Sequence, residues 1–153
     1  MYTDRIRKKG LVLYLNDGTT SKDILPVEGK EHVFKVKTDE YLEYLLLTDK
    51  EANERAEEYI KNRLWTFDTD YIIEHSAVLD FDPASRTLIE TLHKQGAAGN
   101  DIFLKLIDDI DKFIKDCLSI VGRGHYASMY SSVERSHTFT YKDVEYTLYI
   151  YEV

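Results

Sequence analysis

His137-Thr138-Phe139-Thr140-Tyr141-Lys142-Asp143-Val144-Glu145-Tyr146-Thr147-Leu148-Tyr149-Ile150-Tyr151 decides the fold class of this chain. Aromatic and β-branched residues alternate with polar ones on both sides of Lys142-Asp143-Val144, the pattern of a β-hairpin. Working back from it, the first 37 residues read as short strands joined by turns. Leu11-Val12-Leu13-Tyr14-Leu15 is β-prone and ends at the turn signal Asn16-Asp17-Gly18. Pro26 and Gly29 bracket a second loop, and His32 to Lys37 alternates polar and apolar as a half-buried strand does. Tyr44 to Leu47 extends a further strand or leads into a helix.

The middle of the chain is helical. Thr48-Asp49-Lys50-Glu51 fits the capping box, with Asp49 adding negative charge where the helix dipole favours it. Ala52, Ala56, Tyr59, Ile60, Arg63, Leu64 and Phe67 follow at helical spacing, and Glu51–Arg55 and Glu57–Lys61 are expected i,i+4 pairs. Asp68 or Thr69 caps a short segment from Asp70 to His75. Asp82-Pro83 starts another helix, with Asp at the N-cap and Pro at N1, and Gln95-Gly96 stops it. Asn100 is expected to cap the longest helix. Its stripe of Phe103, Leu106, Ile107, Ile110, Phe113, Ile114, Cys117, Leu118 and Val121 ends at Gly122. Asp101–Lys105, Asp108–Lys112 and Asp111–Lys115 support that reading. The expected fold class is α+β, one domain spanning 1–153. Its helices pack on a small antiparallel sheet built from the N-terminal strands and the C-terminal hairpin.

Composition narrows the function classes. The 153 residues carry 28 acids and 20 bases, a net charge of −8. Residues 1–37 are mildly basic at +3, residues 38–116 carry −10, and residues 117–153 carry −1. That layout argues against direct nucleic-acid binding, which needs a basic surface. Cys117 is the only cysteine, so no intramolecular disulfide or thiolate zinc site is available. The charged N-terminus, with five apolar or near-apolar residues after it, is no secretory signal, and no run is long enough to span a membrane. A cytoplasmic protein is expected.

Few residues point to chemistry. Gly122-Arg123-Gly124-His125-Tyr126 places two glycines, an Arg and a His after a helix, a loop whose amides can approach an anion. The same residues also read as a helix cap and a turn. Arg123, His125, Tyr126 and Tyr130 are the binding candidates. Glu54, Glu57, Glu58, Asp108 and Asp109 are the candidates for an acidic helical face. Asp108, Asp109 and Asp111 do not share one side of a helix, so no metal site is expected there. Cys117 falls on the apolar stripe and reads as a small buried hydrophobe. No catalytic residue and no cofactor are called for.

Residues 41–153 resemble small proteins carried by phages and mobile elements. The likeness rests on Leu45-Leu46-Leu47-Thr48-Asp49-Lys50-Glu51-Ala52 with Tyr59-Ile60 and Leu64-Trp65-Thr66-Phe67. It continues from Asn100 through Asp116 into Gly122-Arg123-Gly124-His125-Tyr126-Ala127-Ser128 and a tyrosine-rich closing strand. Met129-Tyr130-Ser131-Ser132 stands where those proteins have a Tyr-Asp-Gly turn. The resemblance implies a phage or mobile-element setting and no reaction. The favoured expectation is a non-enzymatic binder of a host protein, of the anti-CRISPR or anti-restriction type, whose acidic face imitates a phosphate track. The alternatives are a small-ligand binder or enzyme using Gly122–His125, and a homo-oligomer pairing through its hairpin edge.

Overall fold

A computed structural model describes residues 1–37, 42–128 and 131–153. In chain order the elements are α1 (Asp4–Leu15), β1 (Ile24–Pro26), β2 (Val33–Val36), β3 (Leu42–Leu47), α2 (Asp49–Lys61), α3 (Thr69–Glu74), α4 (Pro83–His93), α5 (Asn100–Leu106), α6 (Ile110–Val121), α7 (Gly124–Ala127), β4 (Arg135–Tyr141) and β5 (Val144–Glu152). The strands form one antiparallel sheet in the order β1-β2-β3-β5-β4. The fold is α+β, with N-terminal strands and the C-terminal hairpin sharing the sheet as expected. Among the described residues, no helix is long and apolar enough to cross a membrane. The chain divides into two compact units, residues 1–56 with 123–153, and residues 57–122.

The first unit holds the sheet. Tyr141 faces Val144 across a two-residue turn whose Lys142 and Asp143 have φ of 51° and 61°. Two left-handed residues in succession make the turn whose twist matches a hairpin. The alternation carries through to burial, with Phe139, Leu148 and Ile150 in the core and Ser136, Thr138 and Thr140 exposed.

Leu11–Leu15, expected as a strand, is instead the C-terminal end of α1. The Thr3 hydroxyl accepts from the Ile6 N–H at its start, and Asn16, at φ 48°, closes its end. Five apolar residues in a row fit either element; what separates them is the buried set Ile6, Arg7, Gly10 and Leu11, which recurs at helical spacing. Gly10 is the contact point. A Cβ there would lie 2.6 Å from both Leu148 Cδ1 and Phe139 Cε1, so only a bare Cα lets α1 lie this close to β4 and β5. The polar end of the same seam is closed by the Tyr2 hydroxyl, which donates to the Thr147 carbonyl and accepts from its N–H, each at 3.0 Å.

The capping box forms as expected. The Thr48 Oγ1 accepts from the Glu51 N–H at 3.2 Å, and Glu51 Oε2 accepts from the Thr48 N–H at 2.8 Å. The expected Glu51–Arg55 pair is replaced by one from outside the helix. Arg7, with its side chain 2% exposed, donates to Glu51 Oε1 and to the Leu46 carbonyl, both at 2.7 Å.

The second unit is helical. Of Asp68 and Thr69, Asp68 caps α3, accepting from the Asp70 N–H, and Asp82 caps α4 with Pro83 in the first turn, as expected. The single long helix expected from Asn100 to Val121 is two. Ile107 is extended (ψ 124°), it bridges Ser76, and the Asp108 N–H donates to the His75 carbonyl at 2.9 Å. Asp109 then caps α6, accepting from the Lys112 N–H at 2.9 Å. The apolar spacing continues across the break, but a capping aspartate and a strand-like contact to His75 and Ser76, just after α3, outweigh continued helix at these three residues. Asn100 is no cap; it lies within α5 and its amide donates to the Lys61 carbonyl at 2.7 Å. The expected Asp108–Lys112 pair gives way to Lys112–Asp116 at 2.8 Å.

Gly10→Ala forces a methyl into the buried Phe139–Leu148 contact and is expected to cost about 1–3 kcal/mol. Urea denaturation followed by circular dichroism measures it; a variant as stable as the parent would mean that α1 does not press on the hairpin.

Candidate functional site

Among the described residues, two of the places where polar side chains concentrate hold candidate residues expected from sequence, one in each unit. In the first, Arg123 is the centre. Its Nε and Nη2 each donate at 2.9 Å to the two Glu134 oxygens, a fork-to-fork pair. Nη1 lies 2.7 Å from Asp49 Oδ1 and from Asn53 Oδ1, and the guanidinium sits 4.3 Å over the Tyr149 ring. The Tyr151 hydroxyl also donates to Glu134 Oε2. Glu134 raises the Arg123 pKa against the opposing pull of burial, with Asp49 adding to it. Arg123 in return holds the Asp49 carboxyl below the usual range. Burial, then Glu134, pushes the Tyr151 hydroxyl up.

The glycines around Arg123 set this geometry. Gly122 has φ 83°, a backbone conformation open to glycine, and ends α6. Gly124 makes no left-handed turn. A Cβ on it would come within 2.6 Å of the Ser132 carbonyl and 3.2 Å of Glu134, so its bareness brings α7 against the segment carrying Glu134. His125 is exposed, Tyr126 is buried beneath it with their rings edge to face, and Tyr130 lies outside the described residues. Arg123 therefore points its donors inward at carboxylates while His125 faces water.

In the second unit, α3 and the α5–α6 junction frame a cleft of about 210 Å³ lined by Glu74, His75, Ser76, Ala77, Asp108, Asp109 and Lys112. The Asp108–His75 main-chain bond and the Ser76–Ile107 bridge hold its two walls together. His75 is the buried floor. Its Nδ1 is 2.9 Å from the Tyr71 carbonyl and its Nε2 3.0 Å from Asp116 Oδ2, and its ring packs against Tyr71 and Phe113. Lys112 and then His75 hold the Asp116 carboxyl below its usual range, and Asp116 holds the Lys112 ammonium above its own. Asp109 gives one oxygen to the start of α6. The exposed charged groups lining the cleft are Glu74, Asp108, Asp109 and Lys112, an excess of negative charge suited to a cationic side chain.

Asp108 and Asp109 thus meet in one place, joined by Glu74, which carried no signal in sequence. Glu54, Glu57 and Glu58 form a separate exposed stripe along α2. Glu134 and His75 were also missed as site residues, and only pairing in space reveals them: nothing local marks Glu134 as the partner of Arg123, 11 residues earlier. Cys117 is buried, with its thiol 3.4 Å from the Tyr71 hydroxyl, in line with its apolar position. Among the described residues no cluster of three or more His, Cys, Asp or Glu is arranged to hold a metal ion.

His75→Ala empties a buried position between two rings and removes both ring-nitrogen contacts, to the Tyr71 carbonyl and to Asp116, an expected loss of about 2–4 kcal/mol in thermal or denaturant unfolding. Acid acts on the carboxylates that fasten the fold. Burial raises the Glu51 pKa, but the Thr48 N–H and Arg7 more than offset it, so its carboxyl is held low, as are those of Asp49 and Asp116. Lowered carboxyl pKa values give stability that is complete above the unfolded-state values and is lost as pH falls through the folded ones. Stability is therefore expected to hold down to about pH 5 and decline below about pH 4. Glu51→Gln, measured by urea melts across that range, should flatten part of the decline; an unchanged profile would remove Glu51 from it. No protein-family model, curated protein or solved structure matches the chain significantly.

Proposed function

We propose that the chain is a non-enzymatic binding protein whose helical unit docks on a basic surface of another protein. The observation that carries this reading is where the unpaired acid lies. Residues 57–122 hold thirteen acids and seven bases, and twelve of the thirteen acids are exposed. Among the described ion pairs of this unit, only Asp70 with Arg86, and Asp116 with Lys112 and His75, tie acid to base. The rest of the acid, including Glu57, Glu58, Glu74 and Asp108, faces water as a field that a cationic surface would neutralise.

The surface of matching chemistry is one built to hold a phosphate backbone, such as that of a nuclease. The phage or mobile-element likeness of residues 41–153 supports a host nuclease or CRISPR effector as the class, met in the cytoplasm of a bacterial host. A basic surface of this kind has its own ligand, and that gives the reading its test. The Gly122–His125 loop gains less support as a ligand site, because Arg123 is engaged by Glu134, Asp49 and Asn53.

The experiment is affinity capture from a bacterial lysate at salt on the order of 50 and 500 mM, a span that shortens electrostatic range severalfold. A captured protein should elute at the higher salt and be displaced by added DNA. Glu57→Gln, Glu58→Gln and Asp108→Asn together should weaken the capture by about tenfold or more while leaving the melting temperature unchanged, since these side chains are exposed. Capture that survives high salt, ignores DNA, or is unaffected by the triple variant would overturn the proposal.

A further inference from the structure

The sheet has two edges, and the protein treats them differently. β1 is three residues long and ends in Pro26, which has no N–H to offer. β4 runs seven residues, Arg-Ser-His-Thr-Phe-Thr-Tyr, with neither proline nor lysine, the residues that commonly blunt an exposed edge. Across a two-residue turn the flanking residues exchange both main-chain bonds, and bonded pairs then alternate along the ladder. Tyr141–Val144, Phe139–Tyr146, His137–Leu148 and Arg135–Ile150 are therefore the bonded pairs. The N–H and C=O of Ser136, Thr138 and Thr140 point away from β5.

Thr147 checks that assignment. It faces Thr138, and its own N–H and C=O turn away from β4, where the Tyr2 hydroxyl takes both. On that side the chain has supplied a cap. On the outer side of β4, among the described residues, nothing receives the corresponding groups of Ser136, Thr138 and Thr140, and all three residues are exposed.

We propose that this edge is a two-fold interface with a second copy of the chain, β4 pairing antiparallel with β4 about Thr138. The strand is complementary to itself in that register. Thr138 meets Thr138 and Ser136 meets Thr140, each pair exchanging both main-chain bonds. Arg135 falls opposite Tyr141 and His137 opposite Phe139, so no like charges oppose each other, and the small hydroxyl side chains on the exposed face leave room for the approach. The five strands continue into a second five. This interface lies in residues 1–56 and 123–153 and is independent of the acidic helical unit.

Light scattering and sedimentation at about 50 µM should give twice the chain mass, with a mass that falls on dilution. Thr138→Pro removes an outward N–H and no bond to β5. It is expected to weaken association by at least about tenfold while the far-ultraviolet spectrum is kept. Amide exchange provides the second reading, because it needs no variant: Ser136, Thr138 and Thr140 should gain protection as concentration rises, while His137 and Phe139 stay protected throughout. A chain that is monomeric at this concentration, or a dimer that Thr138→Pro leaves intact with no concentration-dependent protection at those three amides, overturns the proposal. A monomer whose edge is instead protected by an extended segment of another protein overturns it in favour of that occupant.

Discussion

The first turn of α2 is the point on which the first unit turns. A helix start leaves its amides unpaired and carries partial positive charge, so it collects acceptors. Here Thr48 and Glu51 close the cap, Asp49 and Asn53 present further oxygens on the same helix, and two arginines from distant parts of the chain come to meet Glu51, Asp49 and Asn53. Arg7 arrives on α1 and joins Glu51 to the β3 carbonyl of Leu46; Arg123 arrives ahead of α7 and joins Asp49 and Asn53 to Glu134. Exposed ion pairs contribute about 0–1 kcal/mol, but Arg7 is buried, and leaving such a charge without its carboxylate costs about 3 kcal/mol or more. Glu51 is the shared element, since the same carboxylate closes the capping box and receives Arg7.

How much of this was legible depends on the range of the interaction. The hairpin, the Asp82 cap and the Thr48–Glu51 box are set within a few residues and form as expected, with Asp68 rather than Thr69 taking the α3 cap and Val144 falling in β5 rather than in the turn. α1 was not legible in this way, because a run of five apolar residues fits strand and helix alike; what selects helix is Gly10 fitting beneath Phe139 and Leu148, more than a hundred residues away. The long helix after Asn100 failed in the opposite direction. Its apolar stripe is real, and Phe103, Ile107, Phe113, Ile114 and Cys117 are all buried. The same stripe is served by two helices with an extended Ile107 between them, because Asp109 caps a new start and Ser76 offers a strand-like partner.

The site residues follow the same division. The glycines around Arg123 were legible as backbone devices, but Gly124 acts through closeness to Ser132 and Glu134 and makes no turn. Arg123 stood out because of its neighbours in sequence, yet its working partners are Asp49, Asn53 and Glu134, none of them adjacent. Charge marks Asp108 and Asp109 in the sequence, and the fold adds Glu74 at the end of α3 and the floor of His75, its C-cap. Composition can show how many acids a segment holds. It cannot show which of them face a partner within the protein.

That distinction gives the net charge of −8 its meaning. In the first unit the carboxylates of Asp49, Glu51 and Glu134 are occupied with two arginines, each more than four-fifths buried, and act as internal fasteners. In the second unit most acids have no such duty, and the helices beneath them hold together through apolar and aromatic contacts around Phe67, Tyr71 and Phe113. An acid that fastens the fold cannot be removed without cost to stability, whereas an acid that only faces water can be. The helical unit therefore keeps its charge without structural need for most of it, and that surplus, rather than the total, is what a cationic partner would read.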